Sequence, residues 1–324
     1  MKLSIVAIIL GALLSGCALN MEVPIKDPVP SNISYSIKEA PSAVALMFKD
    51  DQNEKDKAEI LSGRIPMNLT SQGKPFEGVS WVAKHVVREL KARGLSVSHH
   101  KHEPNSMVVS IKRLHIKNHR VSGFSPFVTF TLVRADIMTA GGPQRITAYM
   151  KRGKVPIWSF DEIIDPTYND PLATIIKELA AKINQRVFGQ VVSDEQINIL
   201  IDAINQQADT NDDAYHDVFQ LGFSNNPIAI PELVRLTKHK AEYVRLAAIS
   251  SLGILRAKDQ FNLLTSIYES KEGLWQDRGM ASKAIGDIGN AKSRSFLQKE
   301  MARMEPLTDK ESNWNKDIIL LYLP

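Results

Sequence analysis

The chain has 324 residues, and its 40 lysines and arginines exceed its 36 aspartates and glutamates, which gives a formal net charge of +4. With 44% hydrophobic and 23% charged residues, it has the composition of a globular protein long enough for two domains. Its one cysteine, Cys17, excludes an internal disulfide, so packing must stabilise the fold.

The N-terminal segment is typical of a secretory signal. A basic start is followed by an apolar run over residues 3–14, too short to span a bilayer, and then by Leu14-Ser15-Gly16-Cys17. These four residues resemble the lipobox of bacterial lipoproteins. The resemblance implies that residues 1–16 are a signal peptide and that Cys17 is acylated as the first residue of the mature chain. The alternative is a signal cleaved elsewhere, which leaves a free thiol.

Lipid attachment would determine location and partners. One acyl chain holds a protein only marginally, whereas the two or three chains of a bacterial lipoprotein anchor it permanently to the membrane. Ala18, and not aspartate, follows the cysteine. In enteric lipoproteins this implies the outer membrane, with the protein facing the periplasm, and the inner membrane is the alternative. Nucleic acid is absent from the periplasm, so we exclude it as a partner.

Residues 17–40 are expected to form a tether. Pro24, Pro28 and Pro30 disfavour helix and favour an extended, polyproline-like backbone. Such a backbone rises by roughly 3 Å per residue. A fully extended tether would therefore hold the folded body up to ~60 Å from the membrane.

Residues 41–190 are expected to form an α+β domain. Helical spacing predicts a helix over 81–90 that ends before Gly94, and a second helix with Asp170 as its N-cap that ends at Gly189. Apolar and alternating runs predict strands over 43–48, 95–99, 107–116, 127–139, 145–150 and 155–164. These elements indicate a mostly antiparallel sheet packed by two helices.

This element order resembles the small domain of YajG-like lipoproteins and of the lipoprotein activators of penicillin-binding proteins. The resemblance implies regulation of a peptidoglycan synthase as an alternative function. Residues 76–160 carry 14 basic against 4 acidic residues, an excess of 10 positive charges. We expect this basic domain to attract an anionic envelope polymer or lipid, such as lipid A phosphates or peptidoglycan carboxylates. A merely solvated basic face is the alternative.

Residues 193–324 change to an all-α pattern with an internal repeat. Arg245 and Arg278 lie 33 residues apart, as do Gly253 and Gly286. Self-similarity at this period predicts a solenoid, in which stacked helix pairs share a core. The expected pairs cover residues 194–223, 226–256, 258–288 and 291–323.

The repeated segments resemble short HEAT repeats, whose second helix follows a D-x-V-R-x-x-A-A-x-A-L-G pattern. Residues 242–253 match this pattern. Residues 276–286 also match it, with Gly279 and Lys283 as departures. The resemblance implies HEAT-like helical repeats, which offer a curved surface to an envelope protein.

The candidates for binding such a partner come from the repeats. The resemblance implies that the arginine of the pattern, here Arg245 and Arg278, pairs with an acidic residue of a neighbouring unit. Binding to a partner is the alternative role for both. Trp275 is a third candidate if it is exposed on the concave face.

Histidines between His99 and His102 are the best candidates for metal chemistry. On a strand, His100 and His102 would share one face with Cβ atoms about 7 Å apart, which zinc or copper tolerates. No cysteine or acidic cluster completes a tetrahedral set. An exposed polar strand end is the alternative.

No motif indicates catalysis: H-E-x-x-H, G-x-S-x-G and a glycine-rich phosphate loop are all missing from the sequence. Residues 123–127 predict an exposed turn in which Phe124 and Phe127 contact a partner. We therefore expect a non-enzymatic protein without a cofactor, a membrane-anchored adaptor or assembly factor for an envelope protein complex. The alternatives are the synthase regulator and the metal-binding protein named above.

Overall fold

The computed structural model describes residues 21–37, 43–100, 106–207 and 211–323. The signal segment, Cys17 and His102 therefore lie outside the described residues. A region built on a mixed sheet is followed by a helical region. Within the described ranges, no helix combines the length and the apolar character that crossing a bilayer requires.

Two sheets organise the N-terminal region. Their strands are β1 (Met21–Pro24), β2 (Val44–Asp50), β3 (Leu61–Gly63), β4 (Met67–Ser71), β5 (Lys74–Pro75), β6 (Val97–His99), β7 (Met107–His119), β8 (Phe127–Thr139) and β9 (Gly142–Lys154). The larger sheet has the order β6-β2-β7-β8-β9, and β3 also pairs with β7. The smaller sheet has the order β1-β4-β5.

The larger sheet is mixed, which corrects the expectation of a mostly antiparallel sheet. Strands β7, β8 and β9 are antiparallel neighbours. However, β2 runs parallel to both β6 and β7, and β3 runs parallel to β7. Parallel neighbours need a long connection, and the chain between β2 and β6 includes a helix that makes this crossover. The apolar pattern of one strand does not encode its direction.

Four α-helices of this region lie in the described residues: α1 (Glu54–Ala58), α2 (Gly78–Ala92), α3 (Asp161–Ile164) and α4 (Asp170–Val187). Helices α2 and α4 pack against each other and against the larger sheet. The expected strand over 155–164 is wrong, because this segment is a loop followed by α3. Helix α3 buries Ile163 and Ile164, whereas Val155 and Trp158 in the loop are exposed.

The expected N-cap at Asp170 is also wrong. A π-helical turn, Asp165–Asn169, connects α3 to α4, so Asp170 lies inside one continuous helical run. Pro171 has no N–H to donate to the Thr167 carbonyl. The Thr129 hydroxyl on β8 donates to that carbonyl instead. A tertiary contact therefore allows the helix to continue through a proline that would otherwise mark its start.

The tether prediction is wrong for residues 21–37. Val23, Ile25 and Tyr35 are buried in the core of the protein. The Tyr35 hydroxyl donates a hydrogen bond to the Phe223 carbonyl at 3.1 Å. The prolines do favour an extended backbone here. However, residues 21–24 form an edge strand, and the apolar side chains that follow pack against the core. Residues 17–20 and 38–40 lie outside the described residues.

The helical region contains eight α-helices among the described residues: α5 (Asp194–Asn205), α6 (Tyr215–Phe223), α7 (Ile230–Leu236), α8 (Glu242–Ile254), α9 (Phe261–Glu269), α10 (Trp275–Ile288), α11 (Ala291–Met304) and α12 (Lys310–Ile319). Helices α6, α8, α10 and α12 pack side by side in chain order. Each of them also packs against the helix that precedes it in the chain.

Glycines permit the close approach of these neighbouring helices. A Cβ at Gly253 would lie 2.5 Å from the Ala284 Cα on α10, which is closer than real contacts allow. Gly222 faces Ser251 in the same way, and a Cβ there would lie 2.4 Å from its hydroxyl. Small residues at equivalent positions therefore set the spacing of this layer.

The larger sheet covers one face of the same layer. The Phe130 ring on β8 lies 6.3 Å from the Trp275 ring and 4.9 Å from the Trp314 ring, between centroids. Arg145 on β9 donates to the Tyr322 carbonyl at 3.0 Å. Helices α2 and α4 and the C-terminal helices therefore all pack against the sheet, and α4 also contacts α6 and α8 directly.

Candidate anion-binding site

A network of four buried charges connects the two regions. Glu178 and Lys182 belong to α4, and Lys283 and Asp287 belong to α10. Glu178 accepts hydrogen bonds from both lysine ammonium groups at 2.6 Å. Asp287 accepts from Lys182 at 2.6 Å and from Lys283 at 2.9 Å. Each cation contacts both anions, so the charges compensate one another.

Neutral groups complete the hydrogen bonding of this network. Lys182 also donates to the Thr147 carbonyl on β9 at 2.7 Å. Lys283 also donates to the Ser250 hydroxyl on α8 at 2.8 Å. The Tyr322 hydroxyl donates to the network aspartate at 2.9 Å. The network therefore fixes α4, β9, α8, α10 and the C-terminal segment relative to one another.

The electrostatics keep the network ionised. Burial by itself would raise the pKa of Asp287, but attraction by Lys182 and Lys283 outweighs burial and lowers it. Burial would likewise lower the pKa of Lys283, but attraction by Asp287 and Glu178 outweighs burial and raises it. This role accounts for Lys283 as a departure from the repeat pattern, which has a small residue there.

A cavity of about 460 Å³ lies beside the network, which is within the range of small-molecule sites. It is bounded by the end of α4, by β9, by the end of α10 and by the start of α11. Five lining residues are basic and two are acidic: Arg145, Lys182, Arg186, Arg256 and Arg294 against Asp136 and Asp287. Both acids are already paired, the first with Arg145 at 3.2 Å and the second with the network lysines.

Three of these arginines, Arg186, Arg256 and Arg294, have no carboxylate of the described residues within ion-pair distance. Arg256 Nε donates to the Ile288 carbonyl at 3.2 Å. Arg186 Nε is buried and has no hydrogen-bond partner among the described residues. Burial, together with repulsion from Arg256, lowers the pKa of Arg186. A bound anion would supply the missing negative charge.

The first turn of α11 adds neutral donors to the same cavity. Asn290 caps this 14-residue helix by accepting from the Ser293 backbone N–H at 2.8 Å. The Ser293 side chain lines the cavity and is 1% exposed, and its hydroxyl has no hydrogen-bond partner among the described residues. A helix N-terminus favours negative charge, and a ligand oxygen would satisfy this hydroxyl.

The cavity wall also has an apolar part. Ile146, Ile254 and Leu297 supply it, so an anionic group attached to an apolar portion would fit. None of the described lining residues is a histidine or a cysteine.

The residues predicted from the repeats lie elsewhere and make contacts within the chain. Arg245 pairs with Asp277 at 2.8 Å, and Arg278 pairs with Glu311 at 2.8 Å. Both acids lie on the next α-helix of the same layer or at its start. Trp275 is half-buried, and its ring lies 4.6 Å from that of Trp314. None of the three candidates lines the cationic cavity.

The histidine candidates lie at the end of β6. The His99 ring packs edge-on against Phe48, with 6.0 Å between centroids. The His100 backbone N–H donates to the Leu46 carbonyl at 3.1 Å, and His102 lies outside the described residues. In the part of the chain that the structure describes, no group of three or more histidines, cysteines and acids could hold a metal ion.

Sequence reasoning did not find the cationic cavity. Arg186, Arg256 and Arg294 are separated by 70 and 38 residues, and they lie on α4, in the turn after α8 and on α11. The one local signal was Lys283, a charged residue where the repeat pattern has a small one. It marks the junction between the regions, beside which the cavity lies.

Comparisons with known proteins add no assignment. No family model matches this chain, and no curated protein matches it either. One solved structure, titled as an uncharacterized protein, is 10% identical with a TM-score of 0.31, over 48% of this chain and 99% of its own. A hypothetical protein from Chlamydia trachomatis is 11% identical with a TM-score of 0.24, over 46% of this chain and 97% of its own. These scores are too low to assign a fold or a function.

Proposed function

We propose that this protein is a membrane-anchored, periplasm-facing, non-enzymatic adaptor that binds an anionic group of a cell-envelope component in the cationic cavity. The observation that carries the proposal is the set of three arginines, Arg186, Arg256 and Arg294, that line one cavity without carboxylate partners. Arg186 and Arg256 are half-buried and Arg294 is exposed. The buried Nε of Arg186 has no hydrogen-bond partner among the described residues, so this group would gain most from a ligand that supplies negative charge.

The chemistry of the cavity favours a phosphate or a carboxylate. Arginine guanidinium groups match the planar, bidentate geometry of both anions. The apolar wall, which includes Ile254 and Leu297, would contact the part of the ligand that carries the anion. Anionic lipid head groups and peptidoglycan carboxylates both have this chemistry.

The anchor and the location are proposed from the lipobox-like run that ends at Cys17. Two or three acyl chains would hold the protein permanently at the membrane. Ala18 favours the outer membrane by the enteric sorting rule. Intact mass of the purified protein and fractionation of the membranes test this part. An unmodified Cys17, or a protein recovered wholly in the cytosol, would contradict it.

We also propose that the helical region is a HEAT-like solenoid. Equivalent contacts one unit apart support this: Arg245 with Asp277, and Arg278 with Glu311. The sheet covers part of the face formed by α8, α10 and α12, so a protein partner would bind the other layer, α5, α7, α9 and α11. This assigns the adaptor surface to the outer helices.

Titration with inorganic phosphate tests the cavity. The full-length protein, purified in detergent, should be stabilised by phosphate in thermal unfolding. Replacing both Arg186 and Arg256 by glutamine should weaken binding at least about tenfold, because each guanidinium loses charge-assisted hydrogen bonds. Arg88→Gln, a change at an exposed arginine on α2, is the matched control and should bind normally.

Competition with phosphate identifies the class of ligand, and phosphate binding by the wild-type protein and the double variant tests the proposal. A muropeptide that competes with phosphate would favour the carboxylate, whereas a phosphorylated lipid head group that competes would favour the phosphate. Unchanged phosphate binding in the double variant, or no binding by the wild-type protein, would overturn the cavity as the binding site.

A further inference from the structure

Four apolar side chains stand exposed at one end of the larger sheet, and we call them the apolar tip. Val121 and Phe124 belong to the loop between β7 and β8, and Val155 and Trp158 follow β9. Their exposed fractions are 56%, 99%, 55% and 84% in that order. The first residue of β8 pairs with the last residue of β9, so both loops leave the sheet at the same end.

Hydrogen bonds hold the two loops of the apolar tip in place. The Ser125 hydroxyl accepts from the backbone N–H groups of Val121 and Ser122, both at 2.9 Å. The Trp158 backbone N–H donates to the Glu162 carboxylate at 3.3 Å. These bonds fix the loop backbone, so the large aromatic side chains stay exposed. Such exposed side chains are typical of a surface that binds a partner or a membrane.

The expectation that Phe127 contacts a partner is wrong. This residue is buried, and its ring lies 6.0 Å from that of Tyr168, so it does not contact a partner. The expectation was wrong because residue 127 begins β8 and its side chain enters the core. Phe124 is the exposed aromatic residue of the turn.

The described chain begins close to the apolar tip. Met21 pairs with Met67 in the smaller sheet. The Tyr168 hydroxyl donates to the Met67 sulfur at 3.0 Å, and the Tyr168 ring lies 6.0 Å from Phe127, which follows the tip loop. Three residues lie between Cys17 and Met21, so their Cα atoms are at most ~14 Å apart. An acyl group on Cys17 would therefore meet a bilayer on the side of the apolar tip.

Cations surround the same end of the sheet. Lys154 ends β9, and Arg120, which follows β7, donates to the Gly123 carbonyl in the tip loop. Gly63 pairs with Asn118 near the end of β7, which places Arg64 beside the same end. Lys117 on β7 is paired with Asp317 at 3.2 Å. Aromatic side chains beside basic ones are typical of proteins that enter the headgroup region of an anionic bilayer.

We infer that the apolar tip docks into the headgroup region of an anionic phospholipid bilayer. The position of the chain start and the neighbouring cations select a membrane over a second protein copy. The significance of the chain start rests on the proposed anchor, whereas the exposed side chains and the neighbouring cations do not depend on it. The tip would add a second, non-covalent contact that orients the protein on the bilayer.

Fluorescence quenching tests this docking. Full-length protein would be reconstituted into phosphatidylethanolamine–phosphatidylglycerol vesicles with or without brominated acyl chains. We expect bromine to quench part of the tryptophan emission and Trp158→Phe to remove that part. Phe124→Ser should also remove most of it. Met138→Ser is the matched control, because residue 138 is 54% exposed near the opposite end of β8, and it should leave quenching unchanged.

The outcomes separate the tip from the anchor. Equal emission in both kinds of vesicle would overturn the tip, even if intact mass shows acyl chains on Cys17. A change of Trp158 emission that follows protein concentration, and not lipid, would overturn it in favour of a second copy. Vesicle binding by unacylated protein that Phe124→Ser abolishes would support the tip, whatever intact mass shows for Cys17.

Discussion

Two charge-rich groups lie side by side at the junction of the sheet and the helices. They differ in whether their positive charges are paired with carboxylates. In the network of Glu178, Lys182, Lys283 and Asp287, every cation has two carboxylate partners. In the adjacent cavity, Arg186 has none among the described residues, and one of its nitrogens has no hydrogen-bond partner there. The network is buried, whereas Arg186 and Arg256 are half-buried and Arg294 is exposed.

This difference indicates different roles: the paired network stabilises the fold, whereas the cavity arginines can bind a ligand. A closed network of paired charges holds α4 and α10 in one arrangement and gains nothing from a ligand. Arginines without carboxylate partners contribute little to the ligand-free fold, and they become favourable when an anion enters. Variants in the two groups should therefore have opposite effects on stability and on binding.

The largest effect is expected from Lys283→Met. Removing one partner of a buried pair leaves the other charges uncompensated, so the free energy of unfolding should fall by about 3–5 kcal/mol. Urea denaturation measures this change. Lys299→Met, at an exposed lysine of α11, is the control and should change stability by less than about 0.5 kcal/mol. Equal effects of the two changes would contradict the structural role of the network.

A second prediction concerns the stability of the fold at low pH. The folded pKa of Asp287 is lowered, so its contribution to stability is complete above its unfolded value, about 3.9. That contribution is lost as the pH falls through the folded pKa. Urea denaturation between pH 6 and pH 3 should show the loss, and Asp287→Asn should have a shallower pH dependence. An unchanged slope in this variant would show that other carboxylates control acid unfolding.

The smallest effect on stability is expected from Arg186→Gln. Without ligand, removal of a poorly compensated cation should leave the free energy of unfolding within about 0.5 kcal/mol of wild type, or raise it. Thermal unfolding with and without phosphate measures both states, and the stabilisation by phosphate should decrease. A ligand-free loss comparable to that of Lys283→Met would mean that Arg186 has a structural role like that of the network.

Local sequence patterns predicted many of the elements. Helical spacing identified most of α2 and its end before Gly94, which has a positive φ of 90°. The 33-residue echo identified equivalent positions such as Arg245 and Arg278, and both make the same kind of contact with an acidic residue. These features depend on neighbours within one or two turns or one repeat, so the chain encodes them locally.

Only the tertiary structure decided the sheet directions, the position of residues 21–37 and the cationic cavity. A strand has the same apolar alternation in either direction, and a proline-rich segment is extended whether or not it is packed. Arg186, Arg256 and Arg294 meet because α4, the turn after α8 and the start of α11 converge beside the sheet. Their proximity depends on the packing of distant elements, which no local pattern records.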